Sequence, residues 1–261
     1  TDGNGKGIFM GSEKLPAGVY MIVLPENVFF EFLIDDDQVF DIGFSKRDPV
    51  STLSFTGSEE NNRFLAYQRR WKSLQDEAVT ISTRLNGLQA GSPEAAAARK
   101  DLSDQEARMK QYLRETANAN NGTLLGAIAK AVIPVETPAP SIPPDTHNID
   151  SVSKLLSYLN YKNHFFDNID FNETGLIRSP VLGGKLEQFF RQVVIQMPDS
   201  INREADLLLD KAAGNSDIFQ YVAVWLMNRF ASSQIMGHDA VVVHLADNVY
   251  LAGKAPWASE E

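Results

Sequence analysis

The sequence predicts an α+β chain: a small antiparallel β-sheet domain, then a long antiparallel αα-hairpin, then an all-α helical domain. Three observations predict it. Short β-type runs broken by turn residues fill the first fifty-odd positions. Apolar residues then recur alternately three and four apart over about four heptads, which is a helical period. Beyond a proline-rich stretch, every strongly patterned segment is one-sided and helical.

The β domain is assigned to residues 1–56, with runs at Gly7 to Met10, Val19 to Leu24, Val28 to Ile34, Val39 to Phe44 and Thr52 to Phe55. These runs are expected to form one antiparallel meander. Leu15-Pro16-Ala17-Gly18, Pro25-Glu26-Asn27 and Asp35-Asp36-Asp37 separate them, because such residues favour turn conformations that strands do not use. So thin a sheet needs a further strand or a helix over one face. Residues 57–132 are assigned to the hairpin. Its first helix carries the seam Phe64, Tyr67, Trp71, Leu74, Ala78, Ile81, Leu85 and Leu88, with Ser58 as cap and Glu59 and Glu60 at the positive end of the helix dipole. Ser92-Pro93-Glu94 restarts a second helix as cap, first-turn proline and first-turn acid. Its weaker seam of Ala95, Ala98, Leu102, Met109, Tyr112 and Thr116 places small residues near the turn and large ones near the base.

Residues 133–148 form the connection, where Pro134, Pro138, Pro140, Pro143 and Pro144 favour an extended spacer or a strap over the surface. The all-α domain is assigned to 149–261, with helices over 150–161, 180–196, 199–213, 216–233 and 238–251. Between the first two lies an aromatic loop, Asn163-His164-Phe165-Phe166-Asp167-Asn168-Ile169-Asp170-Phe171.

Composition narrows the function classes. With 24 basic and 34 acidic residues the net charge is −10, which repels phosphate backbones, so nucleic acid is not an expected partner. No apolar run approaches the roughly 20 residues of a membrane-spanning helix. The chain has no cysteine, so it carries no disulfide, thiolate metal site or thiol chemistry of its own. Both ends read as cut from a longer chain.

No residue grouping commits to catalysis, and no cofactor is expected. The sharpest metal candidates are His238, Asp239, His244 and Asp247, imidazoles and carboxylates that could hold a divalent ion and activate water. Helical spacing puts His244 and Asp247 on one face and turns His238 away. His164 with Asp167 and Asp170 could supply a base and its orienting carboxylate, yet no nucleophile motif accompanies them. In the same loop His164, Phe165, Phe166, Asp167 and Phe171 form a candidate binding surface for a glycan or peptide, against the reading that the rings only anchor the loop. Asp2-Gly3-Asn4-Gly5 and Asp35-Asp36-Asp37 invite calcium but lack its alternating ligand spacing, and read as turns. Tyr67 and Trp71 read as hairpin seam before they read as a stacking platform.

Several stretches together carry a resemblance. They are Asp2 to Phe9, Leu15 to Pro25, Gly57 to Asn61, His164 to Phe171, Leu176 to Pro180 and Ile235 to Ala246. The chain resembles the N-terminal β domain and helical domain of unknown function in bacterial cell-envelope thioredoxin-like (TlpA-type) thiol:disulfide oxidoreductases, with the catalytic thioredoxin domain absent. That resemblance implies an envelope location, periplasmic or as a lipoprotein, with membrane attachment only through a lipid anchor outside this segment. It implies an accessory role beside a downstream thioredoxin-like domain or a client protein. No catalytic residue carries over, because the Cys-x-x-Cys positions lie outside the sequence. Exposed heptad positions also leave open a homodimer. The rival expectations are a stand-alone binding protein and a metal-dependent hydrolase using His238, Asp239 and His244.

Overall fold

The structure, a computed structural model, describes residues 5–143 and 147–258. Asp2 and Asn4 of the first calcium-type turn, and Pro144 of the connection, lie outside the described residues. The fold is α+β, as the residue pattern predicts.

Strands β1 (Gly18–Val23) and β2 (Phe29–Ile34) pair antiparallel, from Gly18 opposite Ile34 to Val23 opposite Phe29. Strands β3 (Asp41–Gly43) and β4 (Ser54–Thr56) pair separately, so two two-stranded sheets replace the expected meander. Gly7 to Met10 forms no strand; Ile8, Phe9 and Met10 are 83%, 88% and 90% exposed. Their apolar character met the local criterion for a strand, but a strand also needs a hydrogen-bonding neighbour, and none pairs with them among the described residues.

The β1–β2 hairpin is apolar on both faces, and each face enters a different core. Alternation puts Leu33, with Val19 beside it, into the main core. Phe30, Ile22 and Phe32 point the other way, joining Leu53, Phe55, Phe40 and Ile42 in a smaller one.

Helix α1 (Glu59–Asn86) starts between these two cores, sending Phe64 and Tyr67 to the main one and Leu65 to the smaller. Ser58 caps it as expected, its Oγ accepting from the Asn61 N–H at 3.2 Å. The Asn61 side chain joins helix to sheet. Its Oδ1 accepts from the Leu33 N–H at 2.7 Å and its Nδ2 donates to the Leu33 carbonyl at 2.9 Å, as a neighbouring strand would.

Helix α2 (Pro93–Ala119) returns along α1, capped by Ser92 and begun by Pro93. Seam residues Leu74, Ala95, Ala98 and Thr116 are buried, Leu113 is buried without having been part of the expected seam, and Tyr67 stacks on Tyr112 with ring planes 11° apart. The seam also holds a polar residue that periodicity passed over. Gln105, fully buried, donates from Nε2 to the Leu74 carbonyl at 2.8 Å.

The region assigned to the hairpin contains a further helix, α3 (Leu124–Val132), capped by Thr123. It turns back so closely that a Cβ on Gly126 would fall 2.0 Å from the Asn120 carbonyl oxygen, leaving glycine the only residue with room. From Ile133 to Pro143 the chain has no regular secondary structure, and its residues are half-buried or exposed. Glu136 is held by Arg114 at 2.8 Å and Lys110 at 3.5 Å, both on α2.

Helices α4 (Ile149–His164), α5 (Pro180–Gln188), α6 (Pro198–Ala212), α7 (Ser216–Ala231) and α8 (Asp239–Leu245) form the platform. Each of α5 and α8 runs on into a π-helical turn, at Phe189–Val193 and Ala246–Leu251, where a regular helix was expected. The main core is continuous from Leu33 and Leu113 through α3 to α5, α6 and α7, so sheet, hairpin base and platform share it.

Replacing Asn61 with alanine strands both Leu33 backbone groups in a buried site at about 1–3 kcal/mol each. Urea unfolding of Asn61→Ala is therefore expected to show a loss of about 3 kcal/mol, with an unchanged dependence on denaturant concentration. A midpoint equal to that of the natural chain would mean that the carboxamide does not carry this joint.

Candidate functional site

The aromatic loop lies between α4 and a 3-10 turn at Thr174–Arg178. Phe165 and Phe166 are core residues. Their rings lie 5.0 Å apart, centroid to centroid, and pack on Phe189 at 5.0 and 4.8 Å. Edge-on and tilted contacts of this kind are favoured by the ring quadrupole. Phe171 is half-buried against Phe166, so of the five residues proposed as a surface only His164 and Asp167 are exposed. The ring faces that would have stacked on a sugar are turned inward. Their packing is that of the anchoring alternative.

His164 Nδ1 lies 2.5 Å from Asp167 Oδ2, so an imidazole and its orienting carboxylate do pair. Asp170 is engaged elsewhere, accepting from the Asn172 N–H at 2.9 Å.

At the far end of the platform the two histidines go to separate partners. His238 is buried at the head of α8, edge-on to Phe230, with Nδ1 2.8 Å from Ser233 Oγ. Its Nε2 is buried without a hydrogen-bond partner. His244 instead places Nε2 2.9 Å from Asp206 Oδ1 on α6. Asp239 is the exposed first-turn acid of α8. Among the described residues no group of three or more His, Cys, Asp or Glu is arranged to hold a metal. The hydrolase constellation of His238, Asp239, His244 and Asp247 is not assembled.

Burial holds the His238 imidazole below its ordinary pKa, and the Arg229 charge adds to the effect. A protonated ring there would have to leave water with one nitrogen unpartnered.

A cleft that the residue pattern did not reveal lies between the end of α2, α3, the start of the strap and the loop from Asn168 to Glu173. Its volume is about 580 Å³. Arg114 and Lys130 line it with Glu136, Asp170 and Glu173, and Asn118 and Asn121 add carboxamides. Both signs of charge and amide donors and acceptors converge there, which suits a polar ligand of mixed hydrogen-bonding character. The cleft joins segments about fifty positions apart, so no local motif marks it.

Glu173 connects this wall to a second acidic feature. Its Oε1 accepts from the Gly175 N–H at 3.0 Å, and burial, with help from Asp35 and Asp170, raises its pKa. The Asp35 carboxyl is likewise raised by burial, with the Leu124 amide opposing.

No family model matches the chain, and no curated protein or solved structure matches it significantly.

The His238 arrangement predicts a pH effect of definite sign. A histidine whose folded pKa is depressed stabilises the fold fully above its unfolded value of 6.5, and that contribution is lost as pH falls below it. The difference in unfolding free energy between the natural chain and His238→Gln should shrink as pH drops from 7.5 to 5, by at most about 1.4 kcal/mol per unit. Taking the difference removes contributions from other groups. A difference independent of pH would show that the imidazole does not titrate with unfolding.

Proposed function

We propose that this chain is a non-catalytic accessory region of a cell-envelope thioredoxin-like thiol:disulfide oxidoreductase, positioning the redox domain or its client. The observation that carries the reading is the arm. Helices of 28 and 27 residues span roughly 42 Å, and the residues beyond Leu74 on α1 and before Gln105 on α2 belong to neither core. A projection held only by its own seam contributes little to the folding of the platform. Its value lies in reach, which suits the presentation of one body to another.

The stretches that carry the resemblance support the same reading, because they are joints. Gly57 to Asn61 makes the sheet–arm connection, Leu15 to Pro25 contains β1, His164 to Phe171 supplies the ring cluster, and Ile235 to Ala246 seats His238. With no cysteine in the chain, disulfide exchange falls to a cysteine-bearing domain of the parent protein. The envelope location rests on the resemblance alone.

A second reading, a binding protein for a glycan or short peptide, is favoured by one observation, the cleft beside α3. It moves the expected site from the phenylalanine rings to Asn118, Asn121 and Lys130. Thermal shifts with glycan and peptide panels that vanish in Lys130→Ala would promote it.

The arm gives the direct test. In the parent protein, residues 76–103 are replaced by a short turn, which leaves Leu74 and Gln105 in place. Reduction of a small-molecule disulfide should be unchanged while turnover of a protein client falls about ten-fold, a loss of roughly 1.4 kcal/mol in transition-state stabilisation. Unchanged client rate and range would defeat the proposal. So would a source gene that encodes no cysteine-bearing thioredoxin-like domain with this segment.

A further inference from the structure

Three carboxylates from distant parts of the chain surround the amino end of α3. Asp35 follows β2, Glu60 lies in the first turn of α1, and Glu173 caps the Thr174–Arg178 turn. The Leu124 amide lowers the Asp35 carboxyl and the Leu125 amide lowers the Glu60 carboxyl, so these two acids face the first two amides of α3. The Thr174–Arg178 turn reaches the same place. A Cβ on Gly175 would fall 2.7 Å from the Leu124 side chain, so the absence of one lets the turn close over Leu124. Sheet, arm, α3 and platform therefore meet at one acidic junction.

Glu60 is the least solvated member. It is 7% exposed, and its Oε1 is buried without a hydrogen-bond partner. A carboxylate oxygen in that position loses its hydration and receives nothing in return, whereas a protonated carboxyl carries a hydrogen that a neighbouring carboxylate can accept. The helix dipole and its free amides favour negative charge here, but several ionised carboxylates in one small volume repel. The surrounding charges are mostly of one sign. Asp36 and Asp37 stand beside Asp35, Asp170 beside Glu173, and Arg63 on α1 is the cation that faces Glu60.

We propose that Asp35, Glu60 and Glu173 form a proton-held latch, in which one retained proton holds the amino end of α3 against the acids that follow β2 and open α1, and its loss loosens that end. The device is independent of the redox reading. Burial, followed by the charge of Asp35, raises the Glu60 carboxyl to about 7, with the Leu125 amide and Arg63 opposing and Asp37 adding. An acid whose folded pKa lies above its unfolded value of 4.5 stabilises the closed state most at low pH. That stabilisation declines as pH rises from 4.5 through about 7. The latch is thus closed in mildly acid solution and loosened in mildly alkaline solution.

Backbone amide exchange on the full chain, corrected for intrinsic exchange rates, reads the latch directly. Between pH 5.5 and 8, protection at the amides of residues 124–128 should fall about ten-fold relative to the amides of Val222 and Leu226 in α7. Glu60→Gln, a neutral isostere, should hold high protection at every pH. Protection in the natural chain that does not change with pH, or an unchanged slope in Glu60→Gln, would overturn the proposal. Should the variant not fold, carboxyl carbon resonances of the natural chain decide. A Glu60 titration near 7 supports the latch, and one near 4.5 overturns it.

Discussion

The side chain of Asn61 is the constraint on which the relation between sheet and arm depends. By bonding to both backbone groups of Leu33, it lets a helix residue complete the ladder of a strand. Register follows from that pairing. Leu33 is fixed in the main core, Phe64 and Tyr67 follow it one turn along the helix, and Leu65 is turned to the smaller core. The same carboxamide occupies the outer edge of β2, which another strand would otherwise use. Because Ser58 Oγ meets both the N–H and the Nδ2 of Asn61, at 3.2 and 3.1 Å, the helix cap and the sheet edge are one hydrogen-bonded unit. The direction in which α1 leaves the sheet is set there.

Elsewhere the fold uses buried polar groups sparingly and at junctions. Lys162 on α4 and Glu204 on α6 form an ion pair enclosed by the platform. Such a pair adds little net stability over a well-packed apolar pair, yet either partner alone would be a buried charge, so it strongly favours one arrangement of the two helices. Gln105 does the same for the hairpin. Its bond to the Leu74 carbonyl fixes α2 lengthwise against α1, where a seam of alanines and half-buried aliphatics resists sliding only weakly.

Residue spacing made most of the architecture legible, and its omissions have physical causes. The seams of α1 and α2 repeat within a single helix, so Phe64 through Leu85 could be assigned without knowing any partner, while Leu88 falls past the helix end at Asn86. Gln105 was invisible because periodicity detects apolar residues and this one is buried for its amide. Ile8 to Met10 satisfied the local pattern of a strand, but pairing is a property of two segments. The candidate sites show the same limit more strongly. His238 was visible as a histidine, while its burial against Phe230 and Ser233 depended on the packing of α7 against α8. Phe165 and Phe166 read first as loop anchors and only second as a platform, but Phe189, the ring they pack on, could not be named from spacing. Residues 35, 60 and 173 share no sequence neighbourhood, so their junction at α3 is a product of the tertiary fold alone.

The two π-helical turns bear on how this chain can be related to others. A π turn closes each hydrogen-bonded ring with one residue more than an α turn, so each is equivalent to a single-residue insertion absorbed in the last turn of its helix. At Phe189–Val193 and Ala246–Leu251 the chain can lose one residue and relax to a regular last turn with the apolar face of the preceding α segment still directed inward. A one-residue gap in the regular part of α5 or α8 would rotate everything beyond it by about 100° and take the core face out of the core. In an alignment of homologous sequences, length differences within these two helices therefore belong at the π turns, and an aligner that places them elsewhere pairs buried positions with exposed ones.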